Sequence, residues 1–280
     1  MEIQARAKIN WSLNVVGQRA DGYHLLDSVM QPLALSDILT IEKSPELSLS
    51  IDGTDGLKAD ESNLVLRAAK ALQQAGNVQE GAAIRLEKRI PMGAGLGGGS
   101  ADAAAALKGL NQFWGLHYSL EKLCEIGVKL GADVPFCLHD APRRAQGIGE
   151  VLSEISCGKT YPLVLVQPCR ALSTKEVFTA YHQSTVEPAN TEKVMEALQN
   201  GDLDGMDECA RNELETVSLA MLPQIQEAKD ALMALGAKVA RMTGSGSVVF
   251  GAFEDQATAK QACEQLKKQY NVCILTETAL

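Results

Sequence analysis

Apolar residues in the first half of the chain fall into short strand-like runs separated by helical segments. The strand-like runs cover residues 7–16, 38–42, 47–51 and 82–90. Between the last two runs, apolar residues recur at helical spacing and predict a helix over about 62–74: Leu64, Leu66, Ala69 and Leu72. An alanine-rich stretch after residue 100 and the segment 119–131 predict two more helices.

The second half of the chain continues this mixed pattern. It predicts strands at 162–167, 238–242, 247–253 and 272–276, and helices at 174–182, 191–199, 222–235 and 255–269. Strands and helices in this order predict an α+β fold, with helices covering one face of a sheet. Glycines at 147 and 149 and the polar residues 156–160 mark the predicted boundary between an N-terminal lobe, 1–155, and a C-terminal lobe, 156–280.

The most informative segment follows the strand at 82–90. It has five glycines within seven residues, and the alanine-rich helix comes directly after it. Glycines cost conformational entropy, but they leave backbone N–H groups bare, and such groups at a helix N-terminus bind anions. The segment therefore predicts a loop that holds phosphates, in preference to a flexible turn.

Two common phosphate loops do not account for this segment. Gly93, Gly95 and Gly98 satisfy G-x-G-x-x-G, but the dinucleotide fold needs a second strand after the helix, where this chain predicts another helix. The pattern G-x-x-x-x-G-K-[ST] fails because no lysine stands between Gly93 and Ser100. The Ser100 hydroxyl lies at the predicted helix start, where it could cap the helix or bind Mg²⁺.

Composition narrows the class of protein. The chain has 280 residues, 46% hydrophobic and 22% charged, with a net charge of −9, which argues against a general nucleic-acid binder. It contains no long apolar run and no basic-then-apolar leader, so we expect no membrane association. Seven cysteines without a C-x-x-C pair predict reduced, mostly buried thiols in a cytoplasmic protein rather than a disulfide framework or zinc site.

The motifs taken together resemble a known kinase superfamily. Its phosphate loop is similar to Pro91-Met92-Gly93-Ala94-Gly95-Leu96-Gly97-Gly98-Gly99-Ser100. Segments 8–24, 130–136 and 243–247 resemble, in matching order, its other motifs. The chain is identified as a member of the galactokinase, homoserine kinase, mevalonate kinase and phosphomevalonate kinase superfamily. The triple glycine and residues 17–24 are similar to those of one branch of this superfamily. Kinases of that branch phosphorylate a cytidyl-tagged alcohol in isoprenoid precursor biosynthesis.

The resemblance implies a two-lobed fold and an ATP-dependent phosphoryl transfer. The N-terminal lobe is of the ribosomal-protein-S5-like type and binds ATP, and the C-terminal lobe is ferredoxin-like and completes the substrate cleft. The glycine loop, residues 91–100, would hold ATP through its backbone, Asn63 would lie near the adenine, and Mg²⁺ would be required, with Ser100 as a candidate ligand. Helix capping is the alternative role for Asn63.

The resemblance also assigns the catalytic pair. Asp133 precedes a short apolar run that predicts a strand, and it would accept the proton of the acceptor hydroxyl. Lys8 would lie beside it and keep the carboxylate ionised. From the residues alone, Asp133 could instead be a turn or capping aspartate, and Lys8 a lysine on the solvent face of a strand.

Seven residues are candidate contacts for the acceptor substrate. Tyr23 and His24 would take the cytosine, Phe178 would cover the other face of the ring, and the rest would bond the substrate: Asn10, Thr174, Gly244 and Gly246. Each has a structural alternative. Asn10 could cap backbone groups at a strand end, and Thr174 could cap the helix that starts there. Tyr23 and His24 could be a structural pair, and Phe178 could be a core residue. The two glycines could form a plain hairpin turn.

One segment departs from the branch pattern. The chain has Asp140-Ala141-Pro142-Arg143-Arg144 where close relatives tend to have Gly-Gly-Thr-Ala, which leaves substrate contacts near this loop open. The alternatives are a sister kinase of the mevalonate or homoserine type and a non-catalytic nucleotide-binding paralogue. We expect small-molecule partners only, and a monomer or weak homodimer.

Overall fold

The computed structural model describes residues 1–54, 56–182 and 187–280. Its strands, numbered in chain order, are β1 (Glu2–Gln18), β2 (His24–Glu42), β3 (Ser48–Asp52), β4 (Ala83–Glu87), β5 (Arg143–Gly147), β6 (Val151–Glu154), β7 (Pro162–Gln167), β8 (Val239–Met242), β9 (Val249–Ala252) and β10 (Val272–Glu277). Its helices are α1 (Leu64–Gly76), α2 (Gly98–Phe113), α3 (Leu120–Gly127), α4 (Val134–His139), α5 (Thr174–Ala180), α6 (Thr191–Asn200), α7 (Leu203–Cys209), α8 (Glu215–Met221), α9 (Gln224–Ala234) and α10 (Gln256–Leu266).

The chain forms two compact units, and each is assembled from three separate segments. Unit 1 contains Met1–Ala7, Leu35–Ile90 and Gly97–Asp140. Unit 2 contains Lys8–Ala34, Pro91–Leu96 and Ala141–Leu280. The strands β1 and β2 and the glycine loop therefore each contribute residues to both units. The predicted lobes, 1–155 and 156–280, stay a prediction.

Unit 1 packs the helices α1 to α4 with a small sheet. In this sheet β4 pairs in parallel with β3 and antiparallel with the last five residues of β2. Helix α1 forms because apolar residues recur along one face and the Asn63 side chain caps its start. Its partner α2 is rich in alanine, so the two helix backbones can approach closely. The core buries side chains from both layers, among them Leu39, Leu72, Leu86, Leu107 and Leu110.

Unit 2 is built around a four-stranded antiparallel sheet in the order β10-β7-β9-β8. The helices α9 and α10 supply apolar residues to its core, together with strand residues that include Val164, Val166, Val249 and Leu13. The first part of β2 pairs with β5, and β5 pairs with β6. The buried Trp11 ring makes edge contacts with Tyr161 and Phe250, at centroid distances of 5.7 and 5.3 Å.

The α+β character and most of the predicted elements are confirmed. The predicted helices at 62–74, 119–131, 191–199, 222–235 and 255–269 correspond to α1, α3, α6, α9 and α10. The strand predicted after Asp133 is wrong, because those residues form the short helix α4. The elements β5, β6, α7 and α8 and the first part of β2 were not predicted.

Two further expectations concern the cysteines and membrane-spanning helices. All seven cysteine thiols are free, but the expectation that most are buried is wrong: Cys263 and Cys273 are buried, Cys169 is exposed, and the others are intermediate. Within residues 1–54, 56–182 and 187–280, every helix is too short or too polar to cross a membrane.

Candidate active site

The first half of the glycine loop, residues 91–96, is held by its carbonyl groups within unit 2. The backbone N–H of Lys8 donates to the Leu96 carbonyl at 3.0 Å, and the N–H of Val248 donates to the Ala94 carbonyl at 3.2 Å. The Thr243 hydroxyl lies 3.4 Å from the Gly95 carbonyl oxygen. Gly95 has φ +81°, a conformation that L residues with side chains rarely adopt. These bonds fix the path of the loop without using its N–H groups.

The second half of the loop becomes the start of α2 in unit 1. Gly97 is the N-cap, with φ +69°, and no side chain among the described residues caps the helix. The Ala101 N–H makes the first intrahelical bond, to the Gly97 carbonyl at 2.9 Å. The N–H groups of Gly98, Gly99 and Ser100 therefore have no intrahelical acceptor, and a helix terminus of this kind can bind an anion. The alternative in which Ser100 caps this helix is wrong.

Asp133 lies at the start of α4 in unit 1. It occupies the N-cap position with φ −82° and ψ −9°, and its side chain does not cap the helix. Its carbonyl accepts the Cys137 N–H at 3.1 Å. A methyl group on Gly131 would lie 3.6 Å from Ser100 Oγ. The segment that carries Asp133 therefore packs against the first turn of α2, where the free N–H groups are.

Lys8 and Asn10 form a buried polar network within unit 2. Lys8 is 4% exposed and its Nζ donates to Asn10 Oδ1 at 2.7 Å. The Asn10 amide donates to Ser28 Oγ at 2.8 Å, and the Ser28 hydroxyl donates to the Ser12 carbonyl at 2.6 Å. The alternative of a solvent-facing Lys8 is wrong, because the side chain is buried.

The loop between β8 and β9 joins this network. The Gly244 N–H donates to Asn10 Oδ1 at 3.1 Å, and Thr243 Oγ1 accepts the Asn10 N–H at 3.0 Å. A methyl group on Gly244 would lie 3.4 Å from Lys8 Nζ. The predicted residues Lys8, Asn10 and Gly244 are thus neighbours, while Gly246, with φ +84°, completes the same loop.

Two residues that hold this loop, Asn212 and Ser218, were missed by sequence reasoning. The Asn212 amide donates to the carbonyls of Met242 and Gly244 at 2.9 and 2.8 Å. The Ser218 hydroxyl donates to the Ser245 carbonyl at 3.1 Å. The hydroxyls of Ser245 and Thr174 lie 2.9 Å apart. The N-cap of α5 is Ser173, so the Thr174 side chain is not the cap of that helix.

An aromatic group in unit 2 contains the residues predicted to bind a base. The His24 ring lies 5.3 Å from the Phe178 ring and 5.7 Å from the Tyr181 ring. Tyr23 is 60% exposed, so its ring is available for stacking rather than packed in the core. Phe178 is partly buried against the core of unit 2 and still contacts His24. Tyr181 was not predicted.

Asn63, Pro91 and Met92 are the other residues predicted to contact the nucleotide. The Asn63 side chain caps α1 by accepting the Val65 N–H at 2.9 Å, and its amide donates to the Lys58 carbonyl at 3.0 Å. The alternative role predicted for Asn63, helix capping, is therefore confirmed, and its contact with adenine remains a prediction. Met92 is 42% exposed, next to the half-buried Pro91.

The two arginines of the unusual segment are engaged by acidic residues within unit 2. Arg144 forms a two-point ion pair with Asp27, at 2.7 and 2.9 Å, and a third contact with Glu192 at 2.7 Å. Arg143 Nη1 lies 2.9 Å from Glu154 Oε1. Both residues belong to β5, where the backbone pairs regularly with β2 and β6.

Comparison with known proteins identifies the class. Two family models match the chain, "GHMP kinases N terminal domain" over residues 63–141 and "GHMP kinases C terminal" over residues 194–272. The crystal structure of homoserine kinase from Cytophaga hutchinsonii shares the fold, with a TM-score of 0.72, 17% identity, and coverage of 100% of this chain and 95% of that one. The fold is therefore that of a GHMP kinase, as predicted.

Closer relatives identify the branch. The 4-diphosphocytidyl-2-C-methyl-D-erythritol kinase of Pelotomaculum thermopropionicum is 42% identical over 277 residues, which cover 98% of this chain and 96% of the relative. The crystal structure of a 4-(cytidine 5'-diphospho)-2C-methyl-D-erythritol kinase superposes with a TM-score of 0.86 at 33% identity and covers each chain completely. The chain belongs to the 4-diphosphocytidyl-2-C-methyl-D-erythritol kinase family. It is an ATP-dependent kinase, as predicted.

Proposed function

We propose that the chain transfers the γ-phosphoryl group of ATP to the 2-hydroxyl of 4-diphosphocytidyl-2-C-methyl-D-erythritol, a step of the non-mevalonate route to isoprenoid precursors. Identity of 42% over 98% of this chain to a kinase of that name is the observation that carries this proposal. The sister-kinase alternative is not favoured, because the homoserine kinase fold match is only 17% identical. The paralogue alternative is not favoured either, because Lys8, Asp133 and the loop are all present.

The donor phosphates bind to the start of α2. Three N–H groups without intrahelical acceptors and the positive end of the helix macrodipole favour a polyanion there. Backbone N–H donors hold the phosphates in position. Positioning and stabilisation of charge provide most of the acceleration of phosphoryl transfer. The proposed nucleotide-binding residues are Pro91, Met92, Gly93, Ala94, Gly95, Leu96, Gly97, Gly98, Gly99 and Ser100, with Asn63 near the adenine.

Mg²⁺ accompanies the nucleotide. No cluster of three or more His, Cys, Asp or Glu side chains suited to a metal occurs in the part of the chain that the structure describes. Mg²⁺ commonly keeps several waters and uses few protein ligands beside substrate phosphates, so the uncapped Ser100 hydroxyl at the phosphate-binding turn fits such a site. The ion would neutralise negative charge that develops on the phosphates during transfer.

Asp133 is proposed as the base that accepts the proton of the acceptor hydroxyl. Its support is the family motif and the packing of its segment against the first turn of α2. Lys8 is proposed as the cation that keeps the base ionised and stabilises negative charge on the acceptor oxygen. Asn10 holds the Lys8 ammonium at 2.7 Å and is itself anchored to Ser28, so the cation has a defined position.

The cytidyl group of the acceptor is proposed to bind at the aromatic residues of unit 2. Tyr23 supplies an exposed ring for stacking, and His24 supplies ring nitrogens that can read the edge of a base. Phe178 contacts His24 and covers the base from the other side. The proposed contacts to the rest of the acceptor come from Asn10, Thr174, Gly244 and Gly246.

The function is tested by measuring ADP release with ATP, Mg²⁺ and the cytidyl acceptor. We expect turnover only when all three are present, and we expect mevalonate and homoserine to give none. Removal of Mg²⁺ by a chelator should abolish turnover, and added Mg²⁺ should restore it. Turnover with mevalonate or homoserine, but not with the cytidyl acceptor, would overturn the proposal.

The base is tested by Asp133→Asn. Loss of the carboxylate should lower kcat by about three orders of magnitude, because proton transfer from a positioned acceptor contributes about 10²–10⁴-fold. Asp140→Asn is the matched control, since Asp140 lies at the other end of α4 with its side chain 40% exposed. Near-normal turnover in Asp133→Asn, with Asp140→Asn also normal, would rule out Asp133 as the base.

The remaining expectations are part of the same proposal. We propose a cytoplasmic enzyme that acts as a monomer or weak homodimer and binds neither nucleic acid nor membranes. The net charge of −9 supports the absence of general nucleic-acid binding. The N-terminal lobe, 1–155, is proposed to carry the ATP-binding function, and the C-terminal lobe, 156–280, to complete the substrate site.

A further inference from the structure

Unit 1 buries three charged side chains that the proposed chemistry does not use. They are Lys88, Asp37 and Asp102, whose side chains are 4%, 0% and 4% exposed. We refer to them as the Lys88 cluster. The Lys88 ammonium donates to Asp102 Oδ2 at 2.7 Å and also to Asp37 Oδ2. Asp102 Oδ1 is buried and has no hydrogen-bond partner among the described residues.

The cluster is costly to bury. Burial raises the pKa of the Asp102 carboxyl to about 7, against the opposing effect of the Lys88 charge. Buried ion pairs rarely stabilise a fold more than apolar residues of the same volume would, because desolvation offsets the attraction between the charges. They can instead favour one arrangement of the surrounding backbone.

The cluster connects both sides of the glycine loop. Asp37 Oδ1 accepts the N–H groups of Arg89 and Ile90 at 2.5 and 2.8 Å, directly before the loop begins. Asp102 lies in α2, directly after the loop. Lys88 joins the two carboxylates, so one ammonium connects the residues that precede the loop with the helix that follows it.

The ammonium also lies under the phosphate-binding turn. A methyl group on Gly98 would be 3.4 Å from Lys88 Nζ and 3.1 Å from Ile90 Cγ2. Gly98 is the first residue of α2 and carries one of the N–H groups that lack an intrahelical acceptor. A small shift of the ammonium would therefore be transmitted to the turn that meets the donor phosphates.

We propose that the Lys88 cluster positions the donor phosphates, by fixing the first turn of α2 so that the N–H groups of Gly98, Gly99 and Ser100 converge on them. Lys88, Asp37 and Asp102 are thus positioning residues, and they act through backbone donors without touching the nucleotide. This inference rests on the proposed binding of ATP at this turn.

The test is equilibrium binding of ATP, and separately of adenosine, to the full chain without acceptor. Asp102→Asn keeps the size of the side chain and leaves the ion pair of Lys88 with Asp37. We expect ATP affinity to fall about tenfold with adenosine affinity unchanged, because misplaced donors lose only the phosphate contacts. A purely electrostatic effect has the opposite sign, since removal of a negative charge near the phosphates would tighten ATP binding.

Asn111→Ala is the matched structural control. The Asn111 side chain bonds both the N–H and the carbonyl of Tyr118 at the other end of α2, at 2.9 and 3.1 Å. We expect this variant to lower the melting temperature and to leave ATP affinity unchanged. The proposal is overturned if Asp102→Asn binds ATP as tightly as the wild type or more tightly, or if Asn111→Ala weakens ATP binding to the same extent.

Asp37→Asn provides a second variant if Asp102→Asn folds poorly. The substituted amide would keep an oxygen for the N–H groups of Arg89 and Ile90 while removing the charge that holds Lys88. The same selective loss of ATP affinity is expected. Binding is measured without acceptor, so this test is separate from the test of the proposed function. A chain that bound ATP but phosphorylated no cytidyl acceptor would refute the proposed function, and the ATP affinities of the wild type and the variants could still be compared.

Discussion

The two halves of the glycine loop use their backbone groups in opposite ways. In the first half, the carbonyl groups of Ala94, Gly95 and Leu96 accept hydrogen bonds from Val248, Thr243 and Lys8. Residues 97–100 keep their N–H groups free of intrahelical bonds at the start of α2. The first half is therefore a fixed support, and the second half is the proposed binding element for the donor phosphates. Glycine is needed in both, but for different reasons.

The reasons can be stated for one glycine in each half. At Gly95, a methyl group would lie 2.1 Å from the Thr243 carbonyl oxygen, and φ is +81°. At Gly98, the nearest atoms to a methyl group are 3.1 and 3.4 Å away and belong to side chains. Substitution should therefore damage the fold in the first half and the binding of ATP in the second.

The largest expected effect is that of Gly95→Ala. Collision with a backbone oxygen and the left-handed conformation together should lower the free energy of unfolding by about 3 kcal/mol. Denaturant unfolding measures this loss. Gly56→Ala is the control, since Gly56 has φ +89° with nothing within 4 Å of an added methyl group, and it should show only the conformational part. Equal losses in the two variants would contradict the close approach at Gly95.

An intermediate effect is expected for Thr243→Val. The buried Asn10 N–H would lose its acceptor, which should cost about 2 kcal/mol of unfolding free energy. Thr243→Ser keeps the hydroxyl and should recover most of the loss. If valine and serine proved equally stable in denaturant unfolding, the hydroxyl would not be the group that fastens the first half of the loop.

The smallest effect on stability is expected for Gly98→Ala. The gain in helix propensity, about 1 kcal/mol, should roughly offset the crowding against Ile90 and Lys88. The KM for ATP should nevertheless rise about tenfold, because the N–H donors would be displaced. Steady-state kinetics with ATP varied at saturating acceptor measures this. A loss of stability in Gly98→Ala as large as that of Gly95→Ala, with an unchanged KM for ATP, would contradict the different roles of the two halves of the loop.

Elements with a clear local signal could be predicted from the sequence. Helix α1 has apolar residues at helical spacing and a capping asparagine, and strand β7 is a continuous apolar run whose bounds were predicted correctly. The first part of β2 was missed, because it buries Ser28 and Gln31, and buried polar residues interrupt an apolar pattern. The short run after Asp133 could be a strand or a buried helix, and periodicity cannot separate the two over so few residues.

The candidate site follows the same rule. The glycine loop and its neighbours lie in contiguous motifs, and the family resemblance located them. Asn212 and Ser28 have no such signal, because their partners, Gly244 and Asn10, are 32 and 18 residues away. Lys88 and Asp37 are 51 residues apart, so no local pattern indicates that they meet. Long-range polar contacts of this kind become visible only when the fold is known.

The segmented composition of the two units has a consequence for how the chain is made. A ribosome completes unit 1 when residue 140 has been synthesised, since all of its segments lie within the first half of the chain. Residues 8–34 belong to unit 2, most of which is residues 141–280. The contacts of Asn10 with Thr243 and Gly244 therefore cannot form until Thr243 and Gly244 have left the exit tunnel of the ribosome. Lys8 is therefore translated long before the residues that complete its surroundings.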